Sequence, residues 1–327
     1  MRPQPKTRRA ALALLACLGL GPQRALAEAE TRPLRLILPV SAGSGVDTIM
    51  RAVTPALGRA LGGQPVVIEN LPGAGGLTGT AMLVKAAPDG LTLGVVSNNH
   101  VVNPSVYKRM PFDPLADITP IMVAGATPFV LVVNPGRLPA QNLKELLALL
   151  RARPDGYNYG SSGNGTILHL AAEMFIDEAG VALRHIPYKG VAPMLADLIG
   201  GQVDLGIVAL PSVQAHLRSG ALRAIGVGSA ARLPAAPEIP TLAEQGLPDY
   251  QLEGWFAVVG PARLPPALVK RCHAAFLAAF ATPEVREAMA KQGNLINPGS
   301  PEAAAAFFRS EQERYARLVK KAGIGLD

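Results

Sequence analysis

From residue 33 onward the chain alternates short apolar runs with amphipathic helical stretches, and this alternation constrains the fold more than any other feature. Runs of about four to eight apolar residues, each closed by a Gly-, Ser- or Pro-rich turn, read as strands. A helix after nearly every strand carries the chain back across the sheet, so the expected class is α/β with mostly parallel strands. The spacing predicts strands over 34–40, 65–69 and 91–97 and helices over 46–61 and 77–86. A second series predicts strands over 129–133, 157–160, 182–187, 204–208 and 222–228, with helices over 143–151, 166–178 and 192–198.

A proline-dense stretch follows, then a strand over 254–260 and three helices over 266–281, 284–292 and 301–321. These helices have no strands of their own and must pack on a sheet already built. The expected organisation is therefore one discontinuous domain, 28–125 plus 254–327, and a second domain, 126–253. The chain would cross out near 121–133 and return near 251–260.

The N-terminus reads as an export signal. Arg2, Lys6, Arg8 and Arg9 precede an apolar run from Ala10 to Leu20, and Ala25-Leu26-Ala27 supplies a small-x-small cleavage site, so residues 1–27 are expected to be removed. The run is shorter than the roughly 20 residues a membrane span needs. Thr7-Arg8-Arg9 leaves the twin-arginine route open, and Leu14-Leu15-Ala16-Cys17 resembles a lipoprotein site. Cleavage after Ala27 removes five basic residues and no acidic ones. Of 31 Lys and Arg, 26 then remain against 24 Asp and Glu, a net of +2. The high pI of 9.6 thus comes largely from the leader, and a nucleic-acid partner, which needs a retained basic face, is not expected. Cys272 would be the remaining cysteine, so the fold relies on its core without a disulfide.

Two segments share one design. Ser41-Ala42-Gly43-Ser44-Gly45 and Ser161-Ser162-Gly163-Asn164-Gly165-Thr166 each join a predicted strand to a predicted helix, one in each domain. Glycines let the backbone turn its N–H groups inward, and a helix N-terminus adds free amides and a positive dipole end. Facing each other across a cleft, the two loops would grip a carboxylate, with the Ser162 and Thr166 hydroxyls as donors. Singly, each is also an ordinary capped turn. A third glycine cluster, Pro72 to Gly79, has Thr78 where a dinucleotide fingerprint requires Gly and lacks a P-loop lysine; it reads as a structural turn at the rim.

Enzyme signatures are poor. Gly160-Ser161-Ser162-Gly163 is not a Gly-x-Ser-x-Gly elbow, and the five histidines show no metal-ligand spacing. No cofactor is expected. His169, three residues into its helix, is a candidate to orient the loop or touch ligand.

Ordered motifs along almost the whole chain resemble the substrate-binding receptors of tripartite tricarboxylate transporters, the Bug family. They include Pro-Val-Ser-Ala-Gly-Ser-Gly-Val-Asp (39–47), Glu-Asn-Leu-Pro-Gly-Ala-Gly-Gly (69–76), Asn-Tyr-Gly-Ser-Ser-Gly-Asn-Gly-Thr (158–166), Ile-Pro-Tyr-Lys-Gly (186–190) and Gly-Gly-Gln-Val-Asp (200–204). The resemblance implies a two-lobed periplasmic-binding-protein fold of the Venus flytrap kind, type II-like. It also implies a periplasmic receptor that takes a small organic carboxylate between its lobes for a two-subunit membrane permease; a monomer is expected. Ser97, Asn98, Tyr188, Val208 and Ala209 join the two loops and His169 as candidate ligand residues. Relatives that bind amino acids tend to carry an acidic or amide residue where this chain has Val208-Ala209, which implies a ligand without an amine. Two other readings stay open: a periplasmic hydrolase using Ser161 or Ser162, and a receptor that reports to a sensor kinase.

Overall fold

A computed structural model describes residues 32–325; the expected signal and its cleavage site lie outside them. The first βα units are β1 (Leu34–Leu38), α1 (Gly45–Ala60), β2 (Val66–Asn70), α2 (Leu77–Val84), β3 (Thr92–Ser97) and α3 (Asn99–Val106). A sixteen-residue strand, β4 (Ile118–Val133), leads to α4 (Leu143–Ala152), β5 (Asn158–Ser161), α5 (Ile167–Ala179), β6 (Arg184–Pro187), α6 (Val191–Ile199), β7 (Leu205–Ala209), α7 (Leu210–Arg218) and β8 (Arg223–Val227). The chain closes through β9 (Glu253–Pro261), α8 (Pro266–Ala281), α9 (Pro283–Lys291), β10 (Leu295–Ile296) and α10 (Pro301–Ala322).

The strand order is β2-β1-β3-β9-β4-β7-β5-β6, with β8 and β10 also on β4. β1 pairs in parallel with β2 and β3, and β5 with β6 and β7, as βαβ crossovers require. The two crossing strands run the other way. β9 is antiparallel to β3 and to residues 118–128 of β4, while residues 129–133 of β4 are antiparallel to β7 and β8. One strand thus belongs to both groups. Its first eleven residues sit with the β1–β3 group and its last five with the β5–β8 group.

Burial follows the sequence pattern. α1 hides Val46, Ile49, Met50, Val53, Ala56 and Leu57 against the sheet, the spacing of one helical face. Its neighbours in that core include Leu36, Phe256, Phe276 and Phe280. A second core gathers Leu131, Phe175, Leu198 and Ile225 and takes in Phe308, Tyr315 and Val319 of α10. Each fully buried Leu, Ile or Phe contributes roughly 1.5–3 kcal/mol, which lets the fold stand without a disulfide. Cys272 is a buried free thiol, pushed up to about 11 by burial.

Candidate functional site

Where the two strand groups face each other, the C-terminal ends of the strands enclose a cavity of about 550 Å³. This is where open α/β sheets place ligands. Six helices point their N-termini at it. The wall includes Gly45 and Val46 of α1, Gly76 before α2, Asn98 and Asn99 at α3, Thr166 to Leu168 at α5, Gly190 and Val191 at α6, and Ala209 and Ser212 at α7. Lys189 also lines the cavity, and the wall contains no Asp or Glu. An arrangement of this sign favours an anion. Much of the remaining wall is apolar: Val40, Tyr107, Phe129, Ile167 and Trp255.

The loop at 41–45 is built by Asp47. Its carboxylate, 2% exposed, accepts hydrogen bonds from the Gly43 amide (2.9 Å), Arg51 Nε (2.9 Å) and Asn70 Nδ2 (3.0 Å). Burial opposes its ionisation, but the bonds from Arg51, Gly43 and Asn70 win and hold the carboxyl below the usual range. Gly43 turns with φ +77°, a conformation that a side chain disfavours. Ser44 caps α1 through Oγ and the Asp47 amide (3.4 Å). The Gly45 and Val46 amides find no acceptor among the described residues.

Contacts cross the cleft from this side. Ser41 Oγ accepts from the Val191 and Ala192 amides (3.1 and 3.4 Å) at the start of α6. Asn99 Oδ1 accepts from the Ile167 amide (2.7 Å) at the start of α5. Gly165 lies so close to Val106 that a side chain there would collide with it.

Of the candidate residues, Ser41, Ser44, Gly45, Ser97, Asn98, Ser162, Gly163, Asn164, Thr166, Tyr188 and Ala209 line the cavity. Ala42, Gly43, Ser161, Gly165, His169 and Val208 do not. Ala42 and Gly43 lie on the exposed turn of their loop. Gly165 is buried behind the wall with its amide bonded to His169 Nδ1 (3.0 Å), so His169 orients the loop. Val208 corrects the expectation most plainly. Successive strand residues point to opposite faces, and Val208 points into the core at 0% exposure while Ala209 faces the cleft.

Several side chains on the wall already have partners. Asn98 donates to Glu253 O (3.2 Å) and the Tyr315 hydroxyl (2.6 Å) and accepts from the Trp255 amide (2.9 Å), so it braces the floor. The Tyr188 hydroxyl donates to Asp197 (2.7 Å); burial and this bond push it up to about 12. Thr166 is 1% exposed; its hydroxyl donates to Gly163 O (2.8 Å) and accepts from the His169 amide (3.4 Å) and Ser162 Oγ (3.0 Å). The Thr166 hydroxyl therefore serves as a cap and not as a direct ligand donor. Thr166→Ala is expected to cost about 1 kcal/mol of folding stability in denaturant unfolding, the usual size of an N-cap loss. Binding should weaken only as the loop loosens. A loss of several kcal/mol in calorimetry would restore a direct contact.

Some wall residues were not expected. Pro72 to Gly76 lie on the cavity rather than merely at its rim; the signal was their position between a strand and a helix, shared with the other two loops. Thr127 and Ser212 also line the cavity, and both hydroxyls are buried without a partner. Extending the Phe129–Ala209 pairing of β4 and β7 by two residues places Thr127 beside the start of α7, at one end of the cleft.

Nucleophile chemistry finds no support here. Ser161 Oγ lies 2.7 Å from His185 Nε2, but Ser161 is 0% exposed and off the cavity. Ser162 is on the cavity, but no histidine lines it to act as its base.

The family described as "Tripartite tricarboxylate transporter family receptor" matches residues 49–324. Protein BugT of Bordetella pertussis is 36% identical over 297 residues, 90% of this chain and 90% of BugT. The solved structure of periplasmic binding protein BugD matches with a TM-score of 0.86 at 31% identity, covering 90% of this chain and 99% of that one. R. palustris Rpa4515, solved with adipate, matches with a TM-score of 0.87 at 32% identity and the same two coverages. The fold is thus the two-lobed one of periplasmic binding proteins, and the chain belongs to the tripartite tricarboxylate transporter receptor family, among its Bug-type members.

Proposed function

We propose that this protein is an exported receptor that captures a small, unaminated organic carboxylate between its lobes and delivers it to a two-subunit membrane permease. The observation that carries this reading is the cavity wall itself: six helix N-termini, one lysine and no carboxylate around a largely apolar space. Such a wall replaces the hydration of one or two carboxylates with fixed amides and leaves an ammonium group without a partner. The relative Rpa4515 was solved with adipate, a dicarboxylate, which agrees with this chemistry. The unpartnered hydroxyls of Thr127 and Ser212 suit a second polar group at the far end of the ligand.

The leader from Arg2 to Ala27 supports export, with Glu28 as the first mature residue. None of the helices among the described residues is long and apolar enough to cross a membrane. In this reading the lobes are residues 28–125 plus 254–327 and 126–253. The segments that bend are the middle of β4 and the start of β9, and the receptor works as a monomer.

A thermal-shift screen of ligand-stripped protein against mono-, di- and tricarboxylates, aromatic acids and amino acids tests the proposal. A ligand at 100 times its Kd should stabilise the fold by about 2.7 kcal/mol. If no carboxylate shifts the transition while an amine or a sugar does, the reading fails.

A further inference from the structure

Behind the 161–166 loop, away from the cavity, lies a cluster of titratable side chains. His169 and His185 stack face to face, with ring centroids 4.1 Å apart and planes 9° from parallel. Tyr159 stacks on the other side of His185 at 4.7 Å. The pair is wired to the loop at two points. The Gly165 amide donates to His169 Nδ1 (3.0 Å), while Ser161 Oγ, which accepts from the Gly163 amide (3.1 Å), lies 2.7 Å from His185 Nε2.

The bond from Gly165 needs a bare nitrogen on His169. An imidazole accepts a hydrogen bond at a nitrogen only if that nitrogen carries no proton. Nδ1 of His169 must therefore be bare and its proton must sit on Nε2, which lies 3.6 Å from Glu173 Oε1. Glu173 is held in turn by the Tyr159 hydroxyl. Ser161 Oγ also lies 3.2 Å from Gly163 O, so its proton can go to that carbonyl or to His185 Nε2, and its oxygen accepts from the Gly163 amide in both arrangements.

We propose that His169 and His185 are positioning residues of the anion loop: the bare Nδ1 of His169 holds Gly165, His185 stacks on that ring and bonds Ser161 beside Gly163, and a proton entering the stacked pair loosens the loop and weakens ligand capture. Among the described residues, the charged and titratable groups that act on the pair are Glu173 on α5, Tyr159 on β5 and the two rings themselves. Burial, and then the neighbouring His169, push His185 down to about 4, while Glu173 pulls the other way. A group depressed in the folded state costs stability as pH falls below its ordinary value. For His185 the ordered loop should therefore weaken from about pH 6.5 down to about 4.

This inference deepens the proposed receptor role and rests on it for its biological meaning, but its test uses no ligand. Hydrogen exchange of the Gly163 and Gly165 amides, corrected for intrinsic rate, is followed by NMR between pH 7 and 5. The wild type should lose protection at these amides as the pH falls. In His169→Asn, Oδ1 stands in for Nδ1, so protection at Gly165 should be kept and its pH dependence flattened. His169→Gln places its amide nearer the Nε2 position and leaves Gly165 without an acceptor, so its exchange should rise tenfold or more. Imidazole nitrogen spectra should show the Nε2–H tautomer at His169. Equal protection in His169→Gln and wild type, a flat wild-type profile, or an Asn variant no better than Gln would overturn the proposal. If His169→Gln loosens core amides such as Leu131, the comparison of His169→Asn with wild type across pH decides alone. Failure of the carboxylate screen leaves these outcomes untouched, and the reverse also holds.

Discussion

Replacing Gly45 by alanine is expected to weaken ligand capture by roughly 5- to 150-fold while leaving the fold intact. Gly45 opens α1 after β1 of one strand group and faces Ala209 at the start of α7, after β7 of the other. A Cβ on Gly45 would stand 2.6 Å from Ala209 Cβ and 3.9 Å from Ser212 Oγ. Carbon atoms rest comfortably at about 3.5–4.0 Å, so the lobes could not come fully together. Overpacking of this kind costs about 1–3 kcal/mol; in a receptor that opens and closes between its lobes, as proposed above, that cost falls on closure and not on folding. Calorimetry with the best ligand of the screen would measure the loss. Small-angle scattering should show the wild type contracting on binding and the variant contracting less. The double variant with Ala209→Gly should recover affinity. Unchanged affinity in Gly45→Ala would mean that the ligand is held with the lobes apart.

Discrimination against amines should be larger still. Succinate should bind more tightly than aspartate, and glutarate than glutamate, by at least a hundredfold. An ammonium group drawn into the cleft loses its hydration and meets six helix N-termini, Lys189 and no carboxylate. Leaving a buried charge unpaired costs about 3–5 kcal/mol. The identity of residue 208 no longer carries this expectation, since Val208 faces the core; the composition of the whole wall does. Tighter binding of either amino acid would mean that backbone carbonyls of the loops supply the missing partner.

The strands and helices that bury a face were legible because periodicity reports burial directly. The elements that escaped had weak or contradictory local signals. α3 carries two asparagines and Pro104, which argue for a loop, yet it is helical because Val101, Val102 and Val106 pack into the core. The first part of β4 contains Pro120, which cannot donate to a ladder, and its pairing with β9 shifts register there. α7 begins at Leu210-Pro211 directly after a strand, with no capping side chain to mark it. At the site, the glycine and hydroxyl loops were visible because special backbone conformations demand special residues. Thr127, Phe129 and Trp255 were not, since a strand residue on a cavity floor looks the same in sequence as one in a core.

The brace between Asn98 and Tyr315 spans 217 positions of the chain, and Trp255 reaches Glu311 in the same helix through its indole N–H (3.0 Å). The cleft floor therefore stays unfinished on a ribosome until nearly all of the polypeptide has emerged. On the proposed export of this protein, a translocation machinery that threads unfolded chains would meet it with its β3 edge still open. The slow, long-range closure that handicaps such a topology in a test tube would lengthen the time in which the nascent protein can be carried away.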